Sequence, residues 1–314
     1  PAWANSLFED NAEFGYGMLL GQKAIRKRLK AEVEALVASD KTTDDVKSAG
    51  QEYLDTFNCG ASNGDATDKL VAALEACNCG CDTCKDVLKN KDFLAKKSQW
   101  IFGGDGWAYD IGFGGVDHVL ASGEDINIMV FDTEVYSNTG GQASKATKTG
   151  ATAQFAAGGK ETKKKDLAGI AMSYGYVYVA QIAMGADYNQ TVKAIAEAEA
   201  YPGPSLIVAY APCINHGIKK GMSKAQTEEQ LAVECGYWNN FRFNPAAEGA
   251  KFTLDSKEPK EEGYQEFLNG EVRYNALKRS NPEKAERLFA KNEKEAMDRY
   301  AYLKKLVTLY GGEE

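Results

Sequence analysis

Short apolar runs alternate with amphipathic stretches through the middle of the chain. Runs rich in β-branched and aromatic residues have the length of strands and lie at 98–104, 125–132, 174–183 and 204–211. Segments with helical periodicity lie between them, at about 107–121, 164–172 and 187–200. Strands that are apolar almost throughout and alternate with helices are typical of a parallel sheet covered on both faces. The pattern therefore predicts an α/β fold with a doubly wound, mostly parallel sheet over 98–240.

Helical sequence flanks this predicted sheet on both sides. Before it, 35–97 is predicted to be a helical variable insertion, and 22–38 has a clear amphipathic pattern. After it, 241–314 is predicted to be a polar linker and a helical C-terminal extension, with Pro282 near the first turn of the last helix. Residues 1–34 are predicted to begin the domain that contains the sheet.

Charge and composition narrow the class of protein. The net charge of −8 argues against nucleic acid or an anionic membrane surface as a partner. A small anionic ligand would need its own cation or a local positive field. The sequence has no run of about 18 apolar residues and no signal-like start, so we expect a cytoplasmic protein without a membrane partner. The chain begins Pro-Ala-Trp without an initiator Met, and we expect it to be a piece of something longer.

Four of the seven cysteines crowd into one short segment, as Cys77, Cys79, Cys81 and Cys84. A disulfide framework is not expected in a chain of this size, and a reducing compartment fits the cysteine pattern better. The C-x-C-x-C-x-x-C spacing is tighter than the usual zinc or iron–sulfur patterns. A minor metal site and a reduced surface insertion both remain open for this segment.

A single carboxylate, Asp105, stands between Gly104 and Gly106 at the end of the first predicted strand. Ligands of open parallel sheets bind at the carboxyl ends of the strands, and glycines there permit a sharp turn and a close backbone approach. The dinucleotide fingerprint fails here because Tyr109 stands where Gly or Ala is required. Without context, an Asp in a glycine-rich turn is most often only a turn residue.

The next strand ends in "FDTEVYSNTGGQ", and this loop supplies the context for Asp105. Thr133 lies 28 residues after Asp105, which is the length of one turn, one helix and one strand. The two loops should therefore lie side by side at one edge of the sheet. A carboxylate from one loop, with a hydroxyl and a carbonyl from the next, is a set of hard oxygen ligands suited to Mg²⁺. We predict a magnesium ion there that neutralises a diphosphate.

A G-D-G turn followed some 25–30 residues later by an Asn-bearing loop resembles the pattern of the thiamine diphosphate enzymes. The sequence resembles one branch closely: the C-terminal thiamine diphosphate-binding region of the pyruvate:ferredoxin (flavodoxin) oxidoreductases. The stretches that carry the resemblance include "SLFEDNAEFG", "WIFGGDGWAYDIGFGG", "EVYSNTGGQASKATKTGA", "PGPSLIVAYAPCINHG" and "ECGYWNNFRFNP". The resemblance implies a sheet of the thiamine diphosphate-binding type.

The resemblance also implies roles for particular residues. The Mg²⁺ ligands would be the Asp105 carboxylate, the Thr133 hydroxyl and the Val135 carbonyl. The residues that line the diphosphate would be Gly104, Gly106 and the backbone around Trp107. Asn138 would be the catalytic residue that reaches the reactive carbon of the cofactor and orients the 2-oxoacid. Cys213 would be one ligand of a [4Fe–4S] cluster, whose other cysteines lie upstream in the family.

The implied reaction is the oxidative decarboxylation of pyruvate with coenzyme A to acetyl-CoA and CO₂, in anaerobic metabolism. Its implied partners are ferredoxin or flavodoxin, the remaining part of the same enzyme and a second copy in a homodimer. A related 2-oxoacid oxidoreductase with another substrate, or a structural or dimerisation fragment that is inactive in isolation, remains an alternative. Cys213 argues against a thiamine decarboxylase without redox chemistry, since that reaction needs no cluster ligand.

Overall fold

The computed structural model describes residues 11–77 and 80–311, and their contacts divide them into two compact units. One unit comprises Phe14–Gln99, and the other comprises the rest of the described chain. The first unit is helical. Its helices are α1 (Ala12–Ala38), α2 (Asp44–Asp55), α3 (Asn63–Ala76) and α4 (Asp82–Lys89), followed by a 3₁₀ turn at Lys91–Phe93.

The helical unit has an apolar core of its own, to which each of its helices contributes. Leu29, Val46, Leu70 and Val87 are representative of these buried positions. The predicted boundary between residues 34 and 35 lies inside α1, because the apolar positions of this helix continue to Leu36. The division of the chain into four functional segments stays a prediction.

The second unit contains the predicted sheet. Its strands are β1 (Trp100–Gly104), β2 (Asn127–Asp132), β3 (Val135–Tyr136), β4 (Gln142–Ala143), β5 (Tyr178–Ile182), β6 (Ser205–Tyr210), β7 (Phe241–Phe243) and β8 (Phe252–Leu254). Six of them form one sheet in the order β1-β2-β6-β5-β7-β8, and β3 and β4 form a separate hairpin. The first four strands of this order are parallel, whereas β7 and β8 pair antiparallel. The predicted mostly parallel α/β sheet is confirmed.

The helices of this unit are α5 (Phe113–Ala121), α6 (Leu167–Met172), α7 (Tyr188–Ala200), α8 (Ala225–Glu234), α9 (Tyr264–Asn269), α10 (Val272–Ser280) and α11 (Pro282–Leu309). The chain passes from β2 over the place of β6 to reach β5, and then returns to β6. Right-handed crossovers in opposite directions put α6 and α7 on opposite faces of the sheet. The sheet is therefore doubly wound.

Alternate residues of the strands face α7. Tyr178, Ala180 and Ile182 of β5 pack with Ala194 and Ala198 of α7. The period of two along β5 sends the intervening Val179 and Gln181 to the opposite face. Strands β5 and β6 are buried on both faces, which explains their almost continuous apolar sequence, whereas Phe102 of the edge strand β1 is exposed.

The C-terminal extension is one long helix, α11, as the sequence predicts. Asn281 caps it by accepting a hydrogen bond from the backbone N–H of Lys284 at 3.0 Å, and Pro282 occupies its first turn. Leu288, Phe289 and Leu303 are among its buried side chains, so the helix packs on its own domain. Within the described residues, no helix combines the length and the apolar character needed to cross a membrane.

Candidate active site

Three neighbouring parallel strands carry the predicted site residues at their carboxyl ends. Asp105 follows β1, Thr133 follows β2 and Cys213 follows β6 after two residues, and these strands are adjacent in the order β1-β2-β6. Gly104 is in register with Phe131, so β1 and β2 end almost level with each other. The structure thus brings together the loops that the sequence spacing places side by side.

Three oxygen atoms form a compact group at this edge. The Thr133 hydroxyl oxygen lies 2.8 Å from Oδ1 of Asp105 and 2.9 Å from the Val135 carbonyl oxygen. Oxygens that bind Mg²⁺ at about 2.1 Å in an octahedron lie about 3.0 Å from their neighbours. The single hydroxyl proton of Thr133 can serve only one of the two acceptors. A divalent cation would therefore suit this donor set, in which the three predicted magnesium ligands meet.

Asp105 is fully buried and accepts hydrogen bonds from neutral groups. Its Oδ2 accepts a hydrogen bond from the Ser144 hydroxyl at 2.5 Å, and its Oδ1 accepts one from the Thr133 backbone N–H at 3.3 Å. In the part of the chain that the structure describes, no Lys, Arg or His nitrogen lies within 4.0 Å of this carboxylate. Burial and the nearby Asp132 carboxylate raise the pKa of Asp105 to about 7. A bound cation would compensate this buried charge.

The space available for a side chain differs among the glycines around Asp105. A Cβ at Gly106 would lie 2.4 Å from the Tyr136 ring, and one at Gly103 would lie 2.2 Å from the Trp107 ring. Gly106 is thus required by the packing of Tyr136. By contrast, a Cβ at Gly104 would meet no atom within 4 Å, so this position faces open space. The indole N–H of Trp107, which is buried, has no hydrogen-bond partner in the structure.

The segment after Asp105 differs locally from the expected helix. Instead of one helix over 107–121, a π-helical turn at Gly106–Ile111 precedes α5. The Gly112 N–H donates to the Trp107 carbonyl at 2.8 Å, which is the wider spacing of a π-turn. Gly112 stands between the two segments, where a residue that supports regular helix poorly favours the break.

Asn138 lies on the exposed tip of the β3–β4 hairpin. Two glycines with positive φ, Gly140 at 135° and Gly141 at 76°, close this hairpin. The Gly141 N–H donates to the Tyr136 carbonyl at 2.8 Å. The hairpin begins directly after the Thr133 loop and therefore stands beside the three-oxygen group. The role of Asn138 in catalysis stays a prediction.

The Cys213 loop is tied to the Thr133 loop and to the hairpin by hydrogen bonds that sequence reasoning does not reveal. Nε2 of His216, which is fully buried, lies 2.7 Å from the Thr133 carbonyl oxygen. The Asn215 side-chain amide donates to the Ser137 carbonyl at 3.4 Å. The Cys213 sulfur is half-buried and accepts a hydrogen bond from the Asn215 N–H. The ends of β2 and β6 are thus coupled through side chains.

Glu134, which lies between Thr133 and Val135 in the sequence, is held by a buried network of charges. Glu134 has a φ of 60°, which is unusual for a residue other than glycine. Its carboxylate lies 2.9 Å from Nη2 of Arg273, 3.3 Å from Nζ of Lys164 and 2.6 Å from the Tyr237 hydroxyl. The nearby cations outweigh burial and hold the pKa of Glu134 far below its usual range. Arg273 also pairs with Glu271 at 2.6 Å.

A broad groove of about 790 Å³ adjoins the three-oxygen group. Ser144, whose hydroxyl binds Asp105, lines it together with Tyr136, Lys145 and Lys160. Phe155 lines the same groove with its side chain almost fully exposed and its φ at 64°. The volume falls in the range of small-molecule and cofactor sites. Asp110 and Glu161 line it as well and balance its two lysines. Its position next to the three oxygens, rather than its charge, suits a ligand that carries a metal ion.

The described cysteines do not assemble a metal cluster. Among residues 11–77 and 80–311, no group of three or more His, Cys, Asp or Glu side chains is placed to hold a metal ion. Cys77 and Cys81 are half-buried and Cys84 is buried in the helical unit, while Cys79 lies outside the described residues. Cys213 is therefore the single thiol that the described strand ends offer to a cluster. The other three ligands of a [4Fe–4S] cluster would have to come from elsewhere.

Comparison with known proteins agrees with this geometry. Residues 88–209 match the family described as "Thiamine pyrophosphate enzyme, C-terminal TPP binding domain". This segment includes β1, β2 and both loops of the three-oxygen group.

Three relatives illustrate the similarity over longer stretches. The chain is 55% identical to a pyruvate-flavodoxin oxidoreductase of Klebsiella pneumoniae over 98% of this chain and 26% of the relative. It is 54% identical to the pyruvate:ferredoxin oxidoreductase of Moorella thermoacetica, over 98% and 26% respectively. It is 47% identical to the mitochondrial pyruvate dehydrogenase [NADP(+)] of Euglena gracilis, over 92% and 16%. The chain thus spans about a quarter or less of these relatives, and the resemblance predicted from its motifs is confirmed.

Proposed function

We propose that this chain forms the thiamine diphosphate- and Mg²⁺-binding part of a pyruvate:ferredoxin or pyruvate:flavodoxin oxidoreductase. The proposed reaction of the whole enzyme is the oxidative decarboxylation of pyruvate with coenzyme A to acetyl-CoA and CO₂. The observation that carries the proposal is the group of three oxygens from Asp105, Thr133 and Val135, which lies inside the segment that matches the thiamine pyrophosphate family.

In this proposal the chain's own residues clamp the cofactor. The three oxygens hold Mg²⁺, and Ser144 fixes the Asp105 carboxylate by its hydrogen bond. The start of the turn at Gly106 and Trp107, with open space at Gly104, accommodates the diphosphate. Thiamine diphosphate, when bound, supplies the electron sink for breaking the bond between the keto and carboxylate carbons of the substrate.

Two further residues complete the part of the proposed site that this chain supplies. Asn138, at the tip of the hairpin, orients the 2-oxoacid toward the cofactor. Cys213, coupled to the magnesium loop through His216, contributes one ligand to a [4Fe–4S] cluster. The remaining ligands come from another part of the longer protein, so the complete site is composite. Homodimerisation and a cytoplasmic location belong to the same proposal.

The electron acceptor is the least constrained part of the proposal. The three relatives all carry pyruvate in their names, but they name flavodoxin, ferredoxin and NADP⁺ respectively. This region is similar in enzymes whose electron acceptors differ. We therefore assign it to the reaction of pyruvate, which the enzymes share. We propose ferredoxin or flavodoxin for this protein because the relatives with the higher identity name those two.

Calorimetry on purified protein that contains the whole chain tests the cofactor site. Thiamine diphosphate should bind in the presence of Mg²⁺ and not in the presence of EDTA. Asp105→Asn should weaken the Mg²⁺-dependent binding at least about 100-fold, because it removes the charged ligand. Asp117→Asn on α5, which makes the same chemical change away from the three oxygens, should leave the affinity unaltered.

Undiminished affinity of the Asp105→Asn variant would remove Asp105 from the metal site. Turnover assays on the same protein then separate the candidate functions. Pyruvate-dependent reduction of ferredoxin or flavodoxin supports the proposal. Tight cofactor binding with turnover of a different 2-oxoacid would identify a related oxidoreductase, and tight binding without any turnover would identify a fragment that needs its missing domains.

A further inference from the structure

A second cavity has a volume of about 110 Å³. It shares no lining residue with the groove beside Ser144, in which the cofactor is proposed to bind. Its walls come from the entry to α6, the turn before β7 and the inner face of α11. Five cationic side chains line the cavity: Lys148, Lys163, Lys164, Lys165 and Arg299. Two carboxylates, Asp166 and Glu295, also line the cavity.

Only some of these cations have a carboxylate partner. Lys164 lies 2.6 Å from Asp132, and Arg299 pairs with Asp166. For Lys148, Lys163 and Lys165, no carboxylate oxygen lies within 4.0 Å among residues 11–77 and 80–311. The cavity wall therefore carries more positive charge than its own acids compensate.

Lys148 is the most enclosed of the three. Its ammonium donates to the Tyr237 carbonyl and lies 3.7 Å from the centre of the Tyr237 ring, which leaves two of its N–H groups without an acceptor among the described residues. Burial, the largest cause, and repulsion by Lys164 lower the pKa of Lys148 to about 8, although Glu134 opposes this change. A buried ammonium with this balance of neighbours would be stabilised by an added anion.

An independent observation at the same cavity is the side chain of Trp238. It is only 2% exposed, it lines the cavity, and its indole N–H has no hydrogen-bond partner in the structure. Buried donors in folded proteins are almost always paired, and an unpaired one costs free energy. A ligand oxygen in the cavity would give this N–H its acceptor.

The size of the cavity limits the ligand. A cavity needs a volume of about 10–15 Å³ to hold one water molecule. The volume of about 110 Å³ therefore accommodates one tetrahedral oxyanion together with ordered waters. The Lys165 ammonium donates to the Tyr109 carbonyl at 3.0 Å and lies over the Phe113 ring. Lys148 and Lys163 are thus the two ammonium groups open to a ligand, and with the Trp238 N–H they favour a multivalent anion over a single carboxylate. We propose that this cavity is a binding site for a phosphate group, either inorganic phosphate or the phosphate of a small monoester. The proposal does not depend on the thiamine diphosphate site.

Isothermal titration with inorganic phosphate at constant ionic strength tests the site. The titration is run on purified protein that contains the whole chain, with thiamine diphosphate and Mg²⁺ at saturation so that phosphate cannot enter the groove. Wild-type protein should bind one phosphate. Lys148→Met should weaken binding about tenfold or more, and Lys163→Gln should weaken it several-fold, because each removes a charge-assisted donor.

Lys193→Gln is the matched control for Lys163→Gln. It removes an exposed ammonium from α7, which packs on the other face of the sheet, and should change the phosphate affinity less than twofold. If Lys148→Met fails to fold, as judged by circular dichroism, Lys163→Gln decides the outcome. The absence of saturable binding to wild-type protein, or equal affinity of the wild type and the Lys163→Gln variant, would overturn the proposal.

A parallel titration with glycerol 3-phosphate distinguishes the two sources of the phosphate group. Tighter binding of the monoester, lost in Lys148→Met, identifies a phosphorylated small molecule as the ligand. Equal or weaker binding than inorganic phosphate identifies the free ion.

Discussion

At the scale of single residues, Asp105 combines two properties that oppose each other. A fully buried carboxylate without a cation within 4.0 Å among the described residues destabilises the folded chain, and burial together with Asp132 raises its pKa. The same features make it a strong ligand for a divalent cation, since its second oxygen is already held by Ser144. Binding sites commonly trade stability for function in this way. Asp105 is therefore best explained by the ligand that it would hold.

Glu228 is a second buried carboxylate, and it allows a pH test outside the proposed metal site. It is buried on α8, and its Oε1 has no hydrogen-bond partner in the structure. Burial and the nearby Glu271 carboxylate raise its pKa from 4.5 to about 7. An acid with a raised pKa in the folded state lowers stability as the pH rises from about 4.5 through 7.

We therefore expect Glu228→Gln to raise the free energy of unfolding by about 2 kcal/mol at pH 8. At pH 4 the wild-type side chain is mostly protonated in both states, and most of the difference should disappear. Urea denaturation at the two pH values measures this effect, with Glu286→Gln on the exposed face of α11 as the control. A variant that is less stable than the wild type at pH 8 would show that the Glu228 charge has a favourable partner.

At the scale of elements, helix α10 reaches back to the loop that follows β2. Arg273 on α10 contacts Glu134, Glu271 and the Tyr237 hydroxyl, all of them buried. Glu134 separates Thr133 from Val135 and holds a backbone conformation that is unfavourable for its residue type. The geometry of the three oxygens thus depends on a helix that lies some 140 residues further along the chain.

Replacing Arg273 tests this dependence. Arg273→Met should lower the free energy of unfolding by about 3–5 kcal/mol, because it leaves two buried carboxylates with fewer cationic partners. It should also weaken Mg²⁺-dependent binding of thiamine diphosphate, since the Thr133–Val135 loop loses its support. Arg279→Met, on an exposed position of the same helix, should change neither quantity appreciably. Cofactor affinity that stays at the wild-type value in a folded Arg273→Met protein would exclude this positioning role.

The strands and the adjacency of the two loops could be predicted from sequence because both are local. The first predicted strand, 98–104, contains β1, and the spacing from Asp105 to Thr133 equals one β-α-β unit. Strands β7 and β8 were not predicted because three residues each are too few for a periodic signal. Ser144 and Arg273 were also missed, since a serine in a loop and an arginine in a distant helix carry no local signal of the carboxylates they contact.

Gly106 has a packing role that its motif does not indicate. The sequence assigns this glycine to close approach of a diphosphate, whereas the structure shows that the Tyr136 ring occupies the space that a Cβ would need. Nothing in the residues next to Gly106 indicates this contact, because Tyr136 lies in the following hairpin. The diphosphate role of Gly106 stays a prediction beside this packing role.

At the scale of the whole molecule, the chain is acidic, with a net charge of −8, so only local groups of basic side chains can attract an anion. Lys145 and Lys160 line the groove beside Ser144, but Asp110 and Glu161 line it too and offset their charge. Lys148, Lys163 and Lys165 line the smaller cavity. A local positive field of this kind attracts small anions even to a protein of negative net charge. The smaller cavity, rather than the groove, therefore carries the local excess of positive charge.

The composite nature of the proposed site leads to a prediction for the longer protein. Cys213 lies in the loop after β6, and its sulfur accepts a hydrogen bond from the Asn215 N–H. His216 links this loop to the Thr133 carbonyl. Cys213→Ala should therefore reduce the iron content and alter the electron paramagnetic resonance spectrum of the reduced protein, because one cluster loses a ligand. Binding of thiamine diphosphate with Mg²⁺ should persist, since the three oxygens are intact. Cys59→Ala, which changes an exposed thiol in the helical unit, should preserve both iron content and spectrum. Wild-type iron content and spectrum in the Cys213→Ala protein would exclude Cys213 as a ligand and leave the cofactor site unaffected.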